Sequence, residues 1–377
     1  MSADKNKVNY LERQNRVATA MKTAGLQGMA LNAGPSLTYL SGLHFHLSER
    51  PVVGLFTMDN PPVFVLPELE AGKLGQLSYS FQEYTYGEDP ETWLNVFRKA
   101  LLAAQLPGRQ VGIEPRQMRV LELNFLDSTE LETRFVPGDS CLAEIRVRKD
   151  DAEIDAMQKA VYIAQIALQA ALPEIQPGIT ERELAAEITV QLLRHGSDSE
   201  IPFTPIVASG PNSANPHAFP GNRRLQIGDL LIIDWGANVG GYFSDLTRTF
   251  AIGEPEDEMK MVAQTVHQAN TAAQDIAGPG VAAQEIDQAA RKVIEEKGYG
   301  QYFIHRTGHG LGLETHEEPY IRDGNPLPLE SGMTFTIEPG IYIPGRGGVR
   351  IEDDVVITEQ GLHIFSDLPR ELNILQF

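Results

Sequence analysis

One pattern occurs twice in the second half of this 377-residue chain, and it constrains the fold more than any composition figure. A Pro-Gly step at Pro177-Gly178 recurs at Pro279-Gly280, an offset of 102. At the same offset Glu285 matches Glu183, Ile286 matches Leu184, Ile294 matches Leu192 and Gly298 matches Gly196. The strands that follow repeat as well. LQIGDLLIIDWGA from Leu225 and LESGMTFTIEPGI from Leu329 align Gly228 with Gly332, Asp234 with Glu338 and Gly236 with Gly340, an offset of 104. Repetition on this scale marks a duplicated unit whose copies pack on a shared core. Residues 146–377 therefore read as an internally duplicated α+β domain, each half two helices and a hairpin-rich antiparallel sheet.

Local signals agree with that division. The charge-rich stretch RVRKDDAEID opens a long helix in which Ile154, Met157, Val161, Ala164, Leu168 and Ala171 form one apolar stripe at spacings of three and four. Pro177-Gly178 ends it, and Thr180 with Glu183 three residues on has the spacing of a capping box for a second helix running to His195-Gly196. Residues 1–145 read as a separate, small α/β domain. Short apolar runs at 52–58 and 63–66 flank the turn Asp59-Asn60-Pro61-Pro62, residues 91–104 are helical, and 110–113 and 134–136 are strand-like. That domain carries no catalytic signature.

Charge separates the two parts. The chain has 31 Lys+Arg against 51 Asp+Glu, net -20. Residues 1–150 hold 16 basic and 18 acidic residues, so the remaining 227 hold 15 and 33, net -18. A surface this negative repels phosphate backbones and anionic lipid, which excludes nucleic acid and membrane surfaces as partners and favours divalent cations and substrate amines. Cys141 is the one cysteine, so no intrachain disulfide or thiolate metal cluster can form. The N-terminus lacks an apolar signal core and no apolar run reaches membrane-spanning length, so a cytoplasmic location is expected.

The acidic half contains paired carboxylates. Asp234 ends an apolar strand run and Asp245 lies on the next strand, across the Gly-rich turn at 238–241. If the hairpin is centred at 239.5, the two face each other; Glu338 and Glu352, across the turn at 344–348, do the same about Gly345. Opposed like charges are destabilising on a sheet. One such pair could be solvated strand residues; the same arrangement at matching positions in both copies points to a metal site where four carboxylates meet roughly two divalent cations. Histidines cluster in the same domain: His305, His309 and His316 in HRTGHGLGLETHEEP, and His217 in SGPNSANPHAFPG. Gly, Pro and Thr between 307 and 319 indicate a loop that allows close approach to a ligand.

The strings IIDWGA, SDLTRTF, GHGLGLETHEEP, TIEPGIY and VRIEDD, in this order and preceded by a smaller domain, resemble the pita-bread metallopeptidase family, in its creatinase, aminopeptidase P and prolidase branch. The resemblance implies a creatinase-like N-terminal domain followed by a pita-bread catalytic domain. It implies that Asp234, Asp245, His309, Glu338 and Glu352 hold a dinuclear centre, with Asp245 and Glu352 bridging. Glu338 would also be the general base, His217 and His316 donors to substrate, His305 a supporting residue, and Arg350 a partner that orients the carboxylates. One imidazole with four carboxylates suits Mn²⁺, with Zn²⁺, Co²⁺ and Fe²⁺ as alternatives.

The activity implied is exopeptidase cleavage between an N-terminal residue and proline, in Xaa-Pro dipeptides or short Xaa-Pro peptides, by attack of a metal-bridging hydroxide. A homodimer is implied too. One position departs from the pattern of archaeal prolidases, which have an Arg after the HExP segment; here it is Tyr320, leaving Arg322 or Arg346 to read a substrate carboxylate. A broad-specificity aminopeptidase, a creatinase-like C-N hydrolase and a non-catalytic binding module on the same fold are the competing readings.

Overall fold

The described residues, 8–377 in this computed structural model, fall into two units, the first ending at Arg146 and the second running Val147–Phe377. Among the described residues, the first unit builds a mixed sheet from β1 (Gly28–Asn32), β2 (Val53–Thr57), β3 (Val63–Pro67), β4 (Gln82–Tyr86), β5 (Gln110–Ile113) and β6 (Arg134–Pro137), in the order β4-β3-β2-β1-β5-β6. The prolines between β2 and β3 cannot donate to a ladder, so the chain turns there and the two strands pair antiparallel. Five helices accompany the sheet: α1 (Tyr10–Thr23), α2 (Pro35–Ser41), α3 (Trp93–Ala103), α4 (Val120–Asp127) and α5 (Asp139–Arg146). The apolar face of α3 lays Trp93, Phe97, Ala100 and Leu101 against Val53, Leu55, Val63 and Val65. Each large side chain buried this way stabilises the fold by about 1.5 to 3 kcal/mol. The Trp93 indole N–H donates to Gly87 O at 2.8 Å.

The second unit is duplicated in detail. Helices α6 (Asp151–Ala171) and α7 (Glu181–Arg194) belong to the first half, α8 (Asp257–Ile276) and α9 (Ala283–Glu296) to the second. Gly178 N–H donates to Leu225 O, and Gly280 N–H to Leu329 O; Leu225 N–H returns to Ile179 O, and Leu329 N–H to Val281 O. The copies differ where the sequence does. Thr180 Oγ1 accepts from Glu183 N–H and the Glu183 carboxylate accepts from Thr180 N–H, a complete capping box. Ala282 stands in the matching place, and there only the Glu285 half of the box forms. Along α6, Ile154 is half-buried; Glu153 is buried instead, accepting from Tyr242 Oη at 2.9 Å.

Strands β7 (Ile206–Ser209), β8 (Leu230–Trp235), β9 (Asn238–Val239), β10 (Tyr242–Phe243) and β11 (Leu246–Ile252) serve the first half. The second half uses β12 (Gly308–Gly310), β13 (Glu317–Ile321), β14 (Thr334–Ile337), β15 (Gly340–Ile343), β16 (Gly347–Arg350), β17 (Asp353–Thr358) and β18 (Gly361–Ile364); β19 (Asn373–Leu375) returns to the first. The sheets run β19-β11-β8-β7 and β13-β12-β14-β17-β18, with β9-β10 and β15-β16 as separate hairpins. β19 lies parallel to β11, so the first of these sheets is mixed and not wholly antiparallel as expected. Trp235, fully buried at the end of β8, donates its indole N–H to Ala164 O on α6. No described helix is long and apolar enough to cross a membrane.

Three expectations need correction. Asp234 faces Thr247, not Asp245: every pair of this hairpin sums to 481, two more than the expected 479. The turn residues are Gly240 and Gly241, with φ of +61° and +87°, because a tight two-residue turn needs positive φ at both positions and only this Gly pair supplies it. The second hairpin keeps the expected sum of 690. Next, Asp245 and Glu352 do not lie on continuous strands. Each occupies the break between two strand segments, β10 and β11 or β16 and β17. Finally, residues 307–319 are only partly a loop, since His309 is on β12, paired with Tyr320 on β13. Gly308 belongs to that strand because a Cβ there would lie 1.8 Å from Thr336 O.

The turn geometry yields a clean test. A Cβ on Gly240 meets nothing within 4 Å, so Gly240→Ala should cost about 1 to 2 kcal/mol through left-handed backbone alone, and Gly240→Asn clearly less. Urea unfolding of the two variants measures both; an Ala variant as stable as the parent would count against this turn.

Candidate metal centre

The strand breaks bring the two halves together. Thr247, opposite Asp234 on β11, forms a β-bridge with Glu352, and its Oγ1 donates to Glu352 Oε2 at 2.6 Å. Asp245 N–H, freed from its own ladder, donates to Asp354 Oδ2 at 2.8 Å. Freed of regular pairing, both carboxylates turn into one cavity of about 580 Å³. The five expected ligands and the four residues expected to assist them all line that cavity: Asp234, Asp245, His309, Glu338 and Glu352, with His217, His305, His316 and Arg350.

Ligand atoms of Asp245, His309 and Glu352 lie within 4.8 Å of one another. His309 Nε2 is 3.3 Å from Glu338 Oε1 and 3.8 Å from Asp245 Oδ2. Its Nδ1 faces Gly310 O at 3.2 Å; a carbonyl only accepts, so Nδ1 carries the proton and Nε2 presents a lone pair to the carboxylates. Asp234 Oδ2 accepts from Arg350, and its Oδ1 is buried without a partner among the described residues. Orphaned buried oxygen is costly unless something else satisfies it. An unpartnered oxygen, clustered carboxylates and an available imidazole nitrogen together fit divalent cations.

The electrostatics have the same origin. Burial raises the Asp234 carboxyl against the pull of Arg350. Burial, then repulsion from Glu352 and Asp234, holds Asp245 well above its usual range; burial, then Glu338 and Asp234, does so for Glu352. Glu338 is pushed up to about 7, chiefly by burial. The imidazoles move oppositely, since burial disfavours their charged form: His309 lies well below its ordinary value and His305 falls to about 4. His316, edge-on to His309 with ring centres 4.1 Å apart, is lowered by desolvation and by the charge of Arg306.

Arg350 is hydrogen-bonded into the cluster. Its Nη2 donates to Asp234 Oδ2 at 2.6 Å, Nε to Thr247 Oγ1 at 3.0 Å and Nη1 to Tyr342 Oη at 2.9 Å. Tyr342 is buried, its hydroxyl pushed up to about 12 by burial, and lies 2.9 Å from His305 Nε2. His305 Nδ1 faces Arg306 O at 2.7 Å and so donates there, leaving Nε2 to accept from Tyr342. His305 thereby sits at the end of a chain anchored on Asp234. Tyr342, within the TIEPGIY string, received no role from sequence reasoning.

The other missed residue is Arg306, which lines the cavity with its guanidinium 4.5 Å from the centre of the Tyr320 ring. Neither Arg322 nor Arg346 lines it; Arg322 donates to Asp323 O and Arg346 pairs with Glu256 and Glu258. The signal available was Tyr320 itself, the residue expected to depart from the family pattern, whose ring supports Arg306 just ahead of β12. Phe203, Ile206, Ala218 and Phe219 give the cavity apolar lining, and His217 lines it next to Ala218.

Residues 155–359 match the metallopeptidase family M24, and residues 13–148 match the creatinase/prolidase N-terminal domain. The chain is 44% identical over 360 residues to an Xaa-Pro dipeptidase of Lactobacillus delbrueckii subsp. lactis, covering 93% of this chain and 95% of that one. It is 39% identical over 374 residues to a probable dipeptidase PepE of Mycobacterium tuberculosis, covering 97% and 96%. A recombinant prolidase from Thermococcus sibiricus superposes with a TM-score of 0.91 at 35% identity, covering 98% of this chain and all of the other. Such a family implies divalent metal ions and peptide-bond hydrolysis, and with a match over more than half its length this chain belongs to metallopeptidase family M24.

Proposed function

We propose that the chain is a metal-dependent Xaa-Pro dipeptidase whose ions are held by Asp234, Asp245, His309, Glu338 and Glu352. The observation that carries this reading is the convergence of four carboxylates and one imidazole nitrogen in a cavity that also has apolar lining residues and, besides Arg350, a second arginine, Arg306. Divalent cations held there supply Lewis acidity toward a carbonyl oxygen and make water more acidic. The oxygen-rich donor set favours Mn²⁺. A buried Cys141 as the one thiol accords with a reducing cytoplasm.

The chain's own residues then divide the work. Glu338 takes a proton from the attacking water as the new C–O bond forms and returns it to the proline nitrogen as the C–N bond breaks. Without bound cations burial raises this carboxyl to about 7, which shows how strongly its position favours taking up positive charge, whether proton or metal. His316 and His217 donate hydrogen bonds to the substrate carbonyl region, and the apolar lining receives the proline ring. Arg350, fixed by Tyr342 and Thr247, holds Asp234 in place. Arg306, its plane supported by Tyr320, pairs with the free carboxylate of a dipeptide, the geometry in which a guanidinium is strongest. This last pairing favours dipeptides over longer Xaa-Pro peptides.

Three outcomes are expected. With Mn²⁺ supplied, Xaa-Pro dipeptides should be cleaved faster than Xaa-Pro-Xaa or Xaa-Ala peptides, and Glu338→Gln should lower turnover by at least about 100-fold. Equal cleavage of Xaa-Ala would remove the proline assignment. Arg306→Met should raise KM for a dipeptide about 10- to 100-fold and leave the KM of its C-terminal amide unchanged; a matching rise for both would exclude carboxylate recognition.

Third, the raised carboxyls give the chelated protein a pH-dependent stability of definite sign. Their folded pKa values lie above the unfolded ones, so between the two the folded chain binds more protons and stability falls as pH rises. For Glu338 that window runs from 4.5 to about 7, and Asp245 and Glu352, held well above their ordinary values, act in the same direction. Lowered imidazoles oppose this below 6.5, their ordinary value, so the carboxylates dominate above it. The chelated protein should therefore melt at a lower temperature at pH 8 than at pH 6.5, while Mn²⁺-loaded protein should show little difference. Equal pH dependence in both forms would contradict the proposed ligands.

A further inference from the structure

Segment 209–221 carries His217 and Phe219 over the cavity, and its two feet meet on one side chain. Glu181, the first residue of α7, is fully buried. Its Oε1 accepts from Ser209 N–H at 2.8 Å and from Ser209 Oγ at 2.8 Å, and its Oε2 accepts from Gly221 N–H at 3.1 Å. Asn212 Nδ2 reaches both oxygens, at 3.1 and 3.2 Å. Every partner is a donor, so the carboxylate is saturated by the segment it holds. Two further contacts fix the middle: Gly348 N–H donates to Ser213 Oγ at 2.8 Å, and Arg350 Nη1 donates to Pro216 O at 3.3 Å. What is left to project is the tip with His217 and Phe219, the latter 88% exposed.

The second half of the duplication has a counterpart. Asp287 on α9 is fully buried, and its Oδ1 accepts from Thr307 N–H at 2.9 Å and Thr307 Oγ1 at 2.8 Å. Thr307 immediately precedes β12 and follows His305 by two residues. In each half, one oxygen of a buried helix carboxylate receives both the amide and the hydroxyl of a Ser or Thr on the segment that brings imidazoles to the cavity. Use of the same device twice, on different residues, argues that it serves the site and not one local fold requirement.

We infer that Glu181 is a positioning residue, acting through His217: by closing both feet of segment 209–221 on a single carboxylate, it fixes the distance of that imidazole from the reacting peptide bond. The inference rests on the dipeptidase reading above. A glutamine at 181 keeps the shape but turns an NH₂ toward a donor, Ser209 N–H or Gly221 N–H, so one foot must release.

The test is a double-mutant cycle on an Xaa-Pro dipeptide with parent, Glu181→Gln, His217→Ala and the double variant, each checked for bound Mn²⁺. Glu181→Gln should lower kcat about 10- to 100-fold with metal content unchanged, and less than twofold in the His217→Ala background. An undiminished loss in that background, or no loss in either, overturns the inference. Hydrogen exchange gives an arm independent of turnover: Glu181→Gln should speed exchange in peptides covering 209–221 and leave β8 and β11 protected. Uniformly faster exchange would mark a merely structural role and overturn it. Should Glu181→Gln not fold, Ser209→Ala replaces it in both arms, with a smaller, about threefold, loss of kcat that again vanishes without His217. Failure of the parent to cleave any Xaa-Pro peptide is seen first and strikes the functional reading, whereas an additive cycle strikes this inference alone.

Discussion

Four carboxyl groups crowded at the bottom of one cavity cannot all be charged without help, and much of the second unit is arranged around that fact. Arg350 reaches Asp234, yet burial still raises that carboxyl; burial also raises Asp245 and Glu352, with added repulsion from Glu352 and Asp234 on the first and from Glu338 and Asp234 on the second. Water cannot relieve groups this deep, and removing charge by protonation would forfeit the ligand role proposed for them. The remaining solution is positive charge brought from outside. The fold accepts a standing repulsion in order to keep a place ready for it, which makes the site a local weakness in the bare chain and a source of cohesion in the loaded one.

Duplication explains how so much repulsion can be assembled. One half contributes Asp234 and Asp245, the other His309, Glu338 and Glu352, and the halves are fastened to each other at Thr247 and Glu352. Neither sheet alone holds the whole set. A single hairpin brings two acids near each other; two hairpins meeting at their irregular points bring four. The irregularity is as necessary as the symmetry, because a residue in an unbroken ladder has its amide committed to its neighbour strand. At Asp245 that amide is instead free for Asp354.

Much of this was legible from residue order. The offsets of 102 and 104 announced the duplication, and the capping box at Thr180 and Glu183 forms as spaced. The acidic and imidazole residues that line the cavity stood out by type and by flanking glycines. Register was harder to read. Centring the first hairpin on Val239-Gly240 ignored the demand for two positive φ angles, which Gly240-Gly241 meets and Val239 does not. Arg306, Tyr342 and Glu181 escaped for a different reason: each matters through a partner brought in from another segment, Tyr320, His305 and Gly221 respectively, and no local pattern encodes those meetings. Side chains that supply chemistry repeat with the fold, while those that hold them in place are settled by packing.

The two tryptophans have a practical consequence. Trp93 belongs to the first unit and Trp235 to the second, and both indole N–H groups are committed to backbone carbonyls. Each unit therefore has its own intrinsic fluorophore in a fixed, water-poor setting. Trp235 follows Asp234 directly, so a paramagnetic ion arriving at that carboxylate would quench its emission. Ion filling and unfolding of the two units could then be followed separately, by light and without a substrate.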